Sequence, residues 1–342
     1  MEMSQQLNEL KRNVDFSSYD ISVKELISMF KEGLIDIAPE YQRQFRWKED
    51  RQSSFIESIF LGIPIPSLFM ATNVDGSWEL IDGVQRLSSL IHFCGDDISI
   101  KSIGINSNLV LTDLTKLTSF NSCEFKLLPK AIQNAFLLKS LKVITLTDKS
   151  DLQVRFDLFE RLNTGGVQLT PQEIRSCIFR GDFAEYLKEL SKSTDFNKVV
   201  NIPTARENDG TKEEFILRFF AFYYNYKNFD HSVTEFLNDY MRESTKKFDY
   251  KKGKILFEKT FKQLVRIKGG IINRKKQTPV NLFEGVAVGA ALALKTVSSI
   301  DISSYSTWIK SQDLEKYVKG PTNSRPNVAG RIEFCRDRFL GK

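Results

Sequence analysis

The sequence predicts an α+β fold in which a small mixed sheet with helices forms the first half and helices form the second. Two observations lead to this prediction. Short apolar runs bounded by Gly, Pro and Asn alternate with helical periodicity through the first half of the chain. From Gly181 onward, only the helical period recurs. We therefore divide the 342 residues into a domain at 1–180 and a helical domain at 181–342.

The first half shows clear starts and ends of elements. Ser22 and Glu25 form a capping box that opens a helix, and Gly62 follows the apolar periodicity of a helix over 49–61. We expect strands at 68–72 and 78–81 to pair as an antiparallel hairpin. The further predicted elements are strands at 34–37, 98–105, 108–112 and 141–146 and a helix at 130–138.

The stretch WELIDGVQRLSSLIHF, residues 78–93, runs from a strand through a glycine into a helix with two faces. Arg86 lies in the first helical turn, beside the backbone N–H groups and the positive dipole end that hold phosphate in many proteins. A capping box formed by Asp82 and Gln85 is the alternative, and it needs no ligand. The box does not explain Arg86 or Gly83, so both interpretations stay open.

A second polar junction is the Asn163–Gly166 segment, which separates a helix over 152–162 from one that begins at Thr170. A helix end, a loop and a capped helix start account for it without a ligand. In the functional interpretation, Asn163 and the backbone of Gly165 approach a nucleotide or its metal. Glu160 or Asp82 would then be a partner of water or Mg²⁺.

Arginines alternate with aromatic residues in the segment at 39–47. Arg43 and Arg46 lie between Tyr41, Phe45 and Trp47, a pattern that suits phosphate contacts combined with base stacking. A packed aromatic segment whose arginines reach solvent is the alternative interpretation.

The second half is predicted to contain a series of helices. The aromatic run over 219–226 covers more than one helix face, which indicates core packing more often than a stacking platform. The predicted helices lie at 183–190, 213–226, 233–243, 253–267, 282–296 and 314–319.

Positive charge is concentrated in one part of this half. The net charge is +6, yet 242–276 contains 13 Lys and Arg against three acids, a local balance of +10 that leaves −4 for the rest. Such a segment is typical of a protein that contacts a phosphate backbone, and a solvated helix face is the alternative. The residues predicted to contact nucleic acid are Lys246, Lys247, Lys251, Lys252, Lys254, Arg274, Lys275 and Lys276.

Composition excludes several classes of protein. No apolar run is long enough to cross a membrane and the N-terminus is polar, so we expect a soluble, cytoplasmic protein. The four cysteines lack CxxC spacing, which argues against zinc and against a disulfide framework. The two histidines, His92 and His231, lie in no context that matches an HNH nuclease or a Ser or Cys hydrolase triad.

Three segments in this order resemble the N-terminal domain of GmrSD-type restriction proteins: IAPEYQRQFRW at 37–47, LIDGVQRLSSL at 80–90 and LFERLNTGGVQLTPQEIR at 158–175. SIFLGIPIPSLFM at 58–70 fits the same family, and LFEGVAVGAALAL and SRPNVAGRIEF are weaker matches nearer the C-terminus. The resemblance implies a ParB/sulfiredoxin-like first domain whose strand–turn–helix receives nucleotide phosphates. The family's Asp-Gly-Gln-Gln-Arg turn has valine at position 84 here, which removes one polar contact.

The resemblance also implies roles for particular residues. Arg86 would hold phosphates, the amides over 83–85 would cradle them, and Arg43 would close the site. Asn163 and Asp82 would orient metal or water, with Asp82 and Glu160 as the metal ligands. The cofactors are then Mg²⁺ and a nucleoside triphosphate of unidentified base.

We therefore expect a stand-alone GmrSD-like member without an HNH domain, which binds and hydrolyses a nucleoside triphosphate within a DNA-processing or anti-phage restriction system. DNA and a separate nuclease chain are the expected partners. A nucleic-acid-binding or sensor subunit without turnover is the alternative. A metal-dependent DNA nickase that uses Glu40, Asp82 and Glu160 is the second alternative.

Overall fold

The computed structural model describes residues 3, 15–37, 47–73, 75–147, 156–158, 161, 170–273, 276–320 and 322–342. The chain divides into two units, Met1–Gln168 and Leu169–Lys342. The sequence prediction placed the division at residue 180.

The first unit is built on a mixed sheet of five strands. These are β1 (Phe16–Ser22), β2 (Ile35–Asp36), β3 (Leu68–Thr72), β4 (Trp78–Asp82) and β5 (Ser140–Leu146), in the order β1-β5-β3-β4-β2. The β1/β5 and β3/β4 pairs are antiparallel, whereas β3/β5 and β2/β4 are parallel. The predicted hairpin between β3 and β4 is thus confirmed, and it brings the end of β4 next to the start of β3.

The helices whose full bounds lie in the described residues of this unit are α1 (Val23–Lys31), α2 (Glu49–Leu61), α3 (Val84–Cys94), α4 (Asp97–Ser102) and α5 (Lys130–Leu137). Ser22 caps α1 by accepting from the N–H of Glu25, as the sequence predicted. The strand predicted at 98–105 is wrong. Asp96 accepts from the N–H of Ser99 and starts α4 instead, because a local side-chain cap outweighs the β-branched isoleucines there.

The core of the first unit lies between the sheet and α3. Met70, Leu80, Leu87, Leu90 and Val143 are completely buried. The apolar stripe of α3 therefore packs on the sheet, as its periodicity predicts, and this packing fixes the direction in which the helix leaves β4.

In the described residues of the second unit, the regular elements are all helical. The longer ones are α6 (Pro171–Ile178), α7 (Asp182–Ser191), α9 (Thr211–Asn225), α10 (Val233–Lys246), α11 (Tyr250–Leu264) and α16 (Arg325–Phe339). The shorter ones are α8 (Thr194–Val199), α12 (Val280–Phe283), a π-helical turn (Glu284–Val288), α13 (Gly289–Ala293), α14 (Tyr305–Trp308) and α15 (Gln312–Val318). The predicted α+β fold class, a mixed sheet followed by helices, is confirmed.

The aromatic run on α9 forms part of the core of the second unit. Phe219, Phe220 and Phe222 are fully buried, whereas Tyr224 is 48 % exposed. The core-packing interpretation of this run therefore holds for its phenylalanines. No helix in the part of the chain that the structure describes is both long and apolar enough to cross a membrane.

Candidate functional site

The turn between β4 and α3 is formed by Gly83. Its φ is 106°, in the left-handed region, and it is the N-cap residue of α3. A Cβ at this position would collide with the side chain of Leu68, so backbone conformation and space both call for glycine. Gly83 has no side chain that could cap the eleven-residue helix, so the N-cap residue itself supplies no side-chain acceptor to the first turn.

The alternative interpretation of Asp82 and Gln85 as a capping box does not hold, because each side chain has another partner. Asp82 Oδ2 accepts from Arg86 Nη2, across one helical turn. Gln85 Oε1 accepts from the backbone N–H of Trp47 at 3.0 Å. Gly83 takes the N-cap position instead, which places Asp82 one residue too early to cap the helix.

Arg86 connects α3 to the chain that enters β3. Its Nη1 group donates to the carbonyl oxygens of Pro66 and Ser67, the latter at 3.0 Å, while Nη2 binds Asp82. The Arg86 side chain is only 12 % exposed and that of Asp82 is 34 % exposed. The guanidinium therefore holds the turn in place, and any phosphate ligand would meet an arginine that is already fixed in position.

A chain of polar groups runs from this turn into the core of the first unit. The N–H of Trp47 donates to Gln85, and its carbonyl oxygen accepts from Gln52 Nε2 at 2.8 Å. Gln52 Oε1 in turn lies 2.8 Å from Nδ1 of His92. The backbone N–H and carbonyl of Trp47, the last residue of the arginine–aromatic segment, are thus both bound by glutamine side chains.

His92 is the buried end of this chain and is only 3 % exposed. Because Gln52 Nε2 donates to Trp47, its Oε1 faces His92 as an acceptor, so Nδ1 carries the proton. Nε2 is buried and has no hydrogen-bond partner among the described residues. Burial lowers the pKa of the imidazole, while the Ser107 backbone and the Glu49 carboxylate oppose the shift.

Several predicted site residues lie outside the described residues. They are Arg43, Glu160, Asn163 and Gly165. Their predicted roles in closing the nucleotide site and in holding metal or water stay predictions, as do those of Arg86 and Asp82. In the described ranges, no group of three or more His, Cys, Asp or Glu side chains could hold a metal ion. Asp82 is the described member of the predicted metal pair.

The basic side chains predicted to contact nucleic acid are exposed wherever the structure describes them. Lys246, Lys247 and Lys251 reach solvent, as do Lys252, Lys254 and Lys276. Arg274 and Lys275 lie outside the described residues.

Sequence reasoning missed a buried chain of charges in the second unit. Arg175 Nη1 binds Glu214 Oε2 at 3.0 Å, and Arg218 binds Glu214 and Glu284, both at 2.7 Å. Glu284 also accepts from Arg331. Burial opposes the ionisation of Glu214, but Arg218 and Arg175 outweigh it and lower the pKa of that carboxyl.

Three of these five residues lie in segments that the sequence analysis quoted for the family resemblance. Arg175 closes LFERLNTGGVQLTPQEIR, Glu284 lies in LFEGVAVGAALAL and Arg331 in SRPNVAGRIEF. Their position in segments that resemble the family was the signal by which the sequence could have indicated these three residues. The periodicity of apolar residues could not reveal this buried chain of charges, because a pattern of that kind assigns every charged residue to the solvent-facing side.

Comparison with known proteins agrees with the resemblance. Residues 23–180 match the family model of the GmrSD restriction endonuclease, N-terminal domain. The match includes the segments at 37–47, 80–90 and 158–175, so the resemblance that these motifs predicted is confirmed over this part of the chain. No curated protein gives a match.

One solved structure, a Pnob8-like ParB-N domain, is similar at 12 % identity, over 97 % of this chain and 99 % of that chain, with a TM-score of 0.23.

Proposed function

We propose that the chain is a component of a DNA restriction or anti-phage system and that its first unit binds a nucleoside triphosphate at the turn formed by residues 82–86. The observation that supports this most is the start of α3, where a glycine at positive φ precedes an uncapped helix with Arg86 in its first turn. Backbone N–H groups at such a start attract phosphate through both hydrogen bonds and the helix dipole. The GmrSD-type domain over 23–180 supports the restriction context.

In this proposal, Arg86 has two tasks. Its bonds to Pro66, Ser67 and Asp82 fix the turn, and its positive charge lies beside the helix start. A fixed cation costs little reorganisation when charge develops on the phosphates, which is the condition for electrostatic catalysis. Because position 84 is valine and not the glutamine of the family's turn, the hydrogen bonds from this position to phosphate would come from the backbone amides.

The donor chemistry fits Mg²⁺. Magnesium in nucleotide sites takes one or two carboxylates together with substrate phosphates and water. Asp82 is the described carboxylate, and Glu160 is the second predicted ligand. Bound there, the ion would neutralise charge on the phosphates. The contribution of the protein is to hold the turn at residues 82–86 in a fixed position between strand β4 and helix α3.

A second candidate function is nucleotide sensing without turnover. The commitment of the Arg86 guanidinium to three protein acceptors favours it, because three of the five N–H groups of an arginine are then already engaged and fewer are left to donate to a transferring phosphate. The nickase alternative depends on Glu40 and Glu160, both outside the described residues, and no observation favours it.

The test is incubation of the full chain with ATP, GTP, CTP and UTP in Mg²⁺, with and without plasmid DNA, while nucleotide binding, phosphate release and DNA nicks are each measured. The proposal expects phosphate release with at least one nucleotide and intact plasmid. Nucleotide binding without release would favour the sensor, and nicks that need metal but no nucleotide would favour the nickase. Neither binding nor release with any nucleotide would contradict the proposal.

A further inference from the structure

The lysines of α11 lie on two faces with different surroundings. On one face, Lys254 Nζ is 3.7 Å from Glu189 Oε1 of α7. The cavity of about 600 Å³ between these helices has three carboxylates and four lysines among its lining residues: Asp182, Glu185, Glu189, Lys188, Lys192, Lys251 and Lys254. Positive charge on this face is therefore largely balanced, which weakens its attraction for an anion.

The other face borders a smaller groove of about 220 Å³ between α11 and α13. Three lysines line it, Lys252, Lys259 and Lys295, and the described residues that line it include no carboxylate. Tyr223 and Ile255 supply an aromatic and an aliphatic surface, and Ile255 is 65 % exposed. We call this set of five residues the lysine groove.

Two of its lysines are held in place by neighbouring groups. Lys259 Nζ donates to the carbonyl oxygen of Leu294 at 2.9 Å, and Lys295 Nζ lies 4.4 Å from the ring centroid of Tyr223. Lys252 pairs with Asp249 at 3.1 Å, but both side chains are exposed, so this pair is weak and yields to a polyanion. Cations that are already ordered lose less entropy when a ligand binds.

The spacing of the lysines favours a chain of phosphates over a single one. Lys252 and Lys259 are seven residues apart on one helix face, and two turns separate their backbones by roughly 10 Å. One phosphate group cannot bridge that distance. A nucleic-acid backbone, which carries about one charge per 1.7 Å of duplex axis, offers several phosphates along it.

We propose that the lysine groove binds the phosphodiester backbone of duplex DNA, with Tyr223 and Ile255 against its sugar edges. The proposal assigns the contact to one face of α11 and adds Lys259 and Lys295, which lie outside the set predicted from the sequence. It does not depend on the nucleotide site of the first unit. Failure of one proposal therefore leaves the other standing.

The test is fluorescence anisotropy of a labelled 30-base-pair duplex with the full chain over a range of NaCl concentrations. The groove variant is Lys259→Gln with Lys295→Gln. The matched control, Lys188→Gln with Lys192→Gln, removes the same charge from the cavity in which the lysines are balanced by carboxylates. We expect the groove variant to weaken binding at least tenfold and to reduce the salt slope by about two, whereas the control changes affinity less than about threefold.

Thermal unfolding of both variants accompanies the titrations. The single Lys252→Gln variant changes a groove side chain that is 81 % exposed, so we expect it to weaken DNA binding without changing the unfolding temperature. Millimolar inorganic phosphate is the competitor. Retention of DNA binding in its presence supports a polyanion site, and complete displacement would contradict it. Equal losses in the groove and control variants, or no DNA binding by the wild type, would overturn the proposal.

Discussion

Gln85 and Trp47 are 38 residues apart in the sequence and are joined by one hydrogen bond, from the backbone N–H of Trp47 to Gln85 Oε1 at 3.0 Å. The bond connects the end of the arginine–aromatic segment to the first turn of α3. Two stretches that the sequence marked separately thus share one anchoring point, and the glutamine that resembled a cap or a phosphate ligand is a positioning residue for the backbone.

The two glutamines that hold Trp47 should differ in their effect on stability. Gln52→Leu removes the partners of both the Trp47 carbonyl and His92 Nδ1, at a position only 3 % exposed. Gln85→Leu removes the acceptor of the Trp47 N–H. We expect losses of about 2 and about 1 kcal/mol in the free energy of unfolding, measured by urea denaturation. A smaller loss for Gln52→Leu than for Gln85→Leu would contradict this arrangement.

His92 should make the stability of the first unit depend on pH. Its folded-state pKa is lowered by burial, so the unfolded chain binds the proton more readily. The stability contribution is fully present above the ordinary value of 6.5 and is lost as pH falls through the lowered folded-state pKa. His92→Asn keeps a donor toward Gln52 but cannot titrate, and it should flatten this dependence. His231→Asn, at an exposed position, is the control and should keep the wild-type profile.

Gly83 should tolerate alanine much less well than another glycine of similar backbone conformation. Gly76 has φ 84° and open space around it, so Gly76→Ala measures the backbone cost alone, about 1 kcal/mol. Gly83→Ala adds the collision with Leu68, and we expect a total loss of about 3 kcal/mol in the free energy of unfolding. Equal losses for the two variants would contradict the predicted collision between a Cβ at position 83 and the side chain of Leu68.

The buried charges of the second unit should be far more sensitive than a surface pair. Glu284 lies between Arg218 and Arg331 and is 1 % exposed, so Glu284→Gln removes the carboxylate that pairs with Arg331 and leaves Arg218 with Glu214 alone. We expect a loss of about 3–5 kcal/mol in the free energy of unfolding. Asp239→Asn, which breaks the exposed pair with Arg242, should change it by less than about 0.5 kcal/mol.

Much of the scaffold around the turn followed from local sequence signals. The hairpin of β3 and β4, the helix that begins after Gly83 and the cap at Ser22 follow from turn residues, apolar period and capping chemistry, which act over a few positions. The cap at Thr170 was predicted in the same way and is present as a full capping box with Glu173.

What the sequence could not provide was the partner of each polar side chain. Asp82 and Gln85 fit a cap by spacing, yet their partners are the Arg86 guanidinium and a backbone group 38 residues away, and only the tertiary fold brings the latter close. The buried pairs of Glu284 were unforeseen for the same reason. In the described residues, prediction from local pattern thus succeeded for most elements, though not for the strand at 98–105, and was weakest for side-chain networks.

The most direct test of the central claim is calorimetric titration of the full chain with a non-hydrolysable nucleoside triphosphate analogue and Mg²⁺. Arg86→Lys retains the positive charge and can still pair with Asp82 but loses the planar fork, and Lys31→Gln, which breaks the exposed Lys31–Asp96 pair of the same unit, is the control. The account predicts binding by the wild type and by the control, with affinity at least tenfold weaker, about 1.4 kcal/mol, in Arg86→Lys. Equal affinity in Arg86→Lys, with thermal unfolding showing it folded, would contradict the assignment of this turn as the nucleotide site.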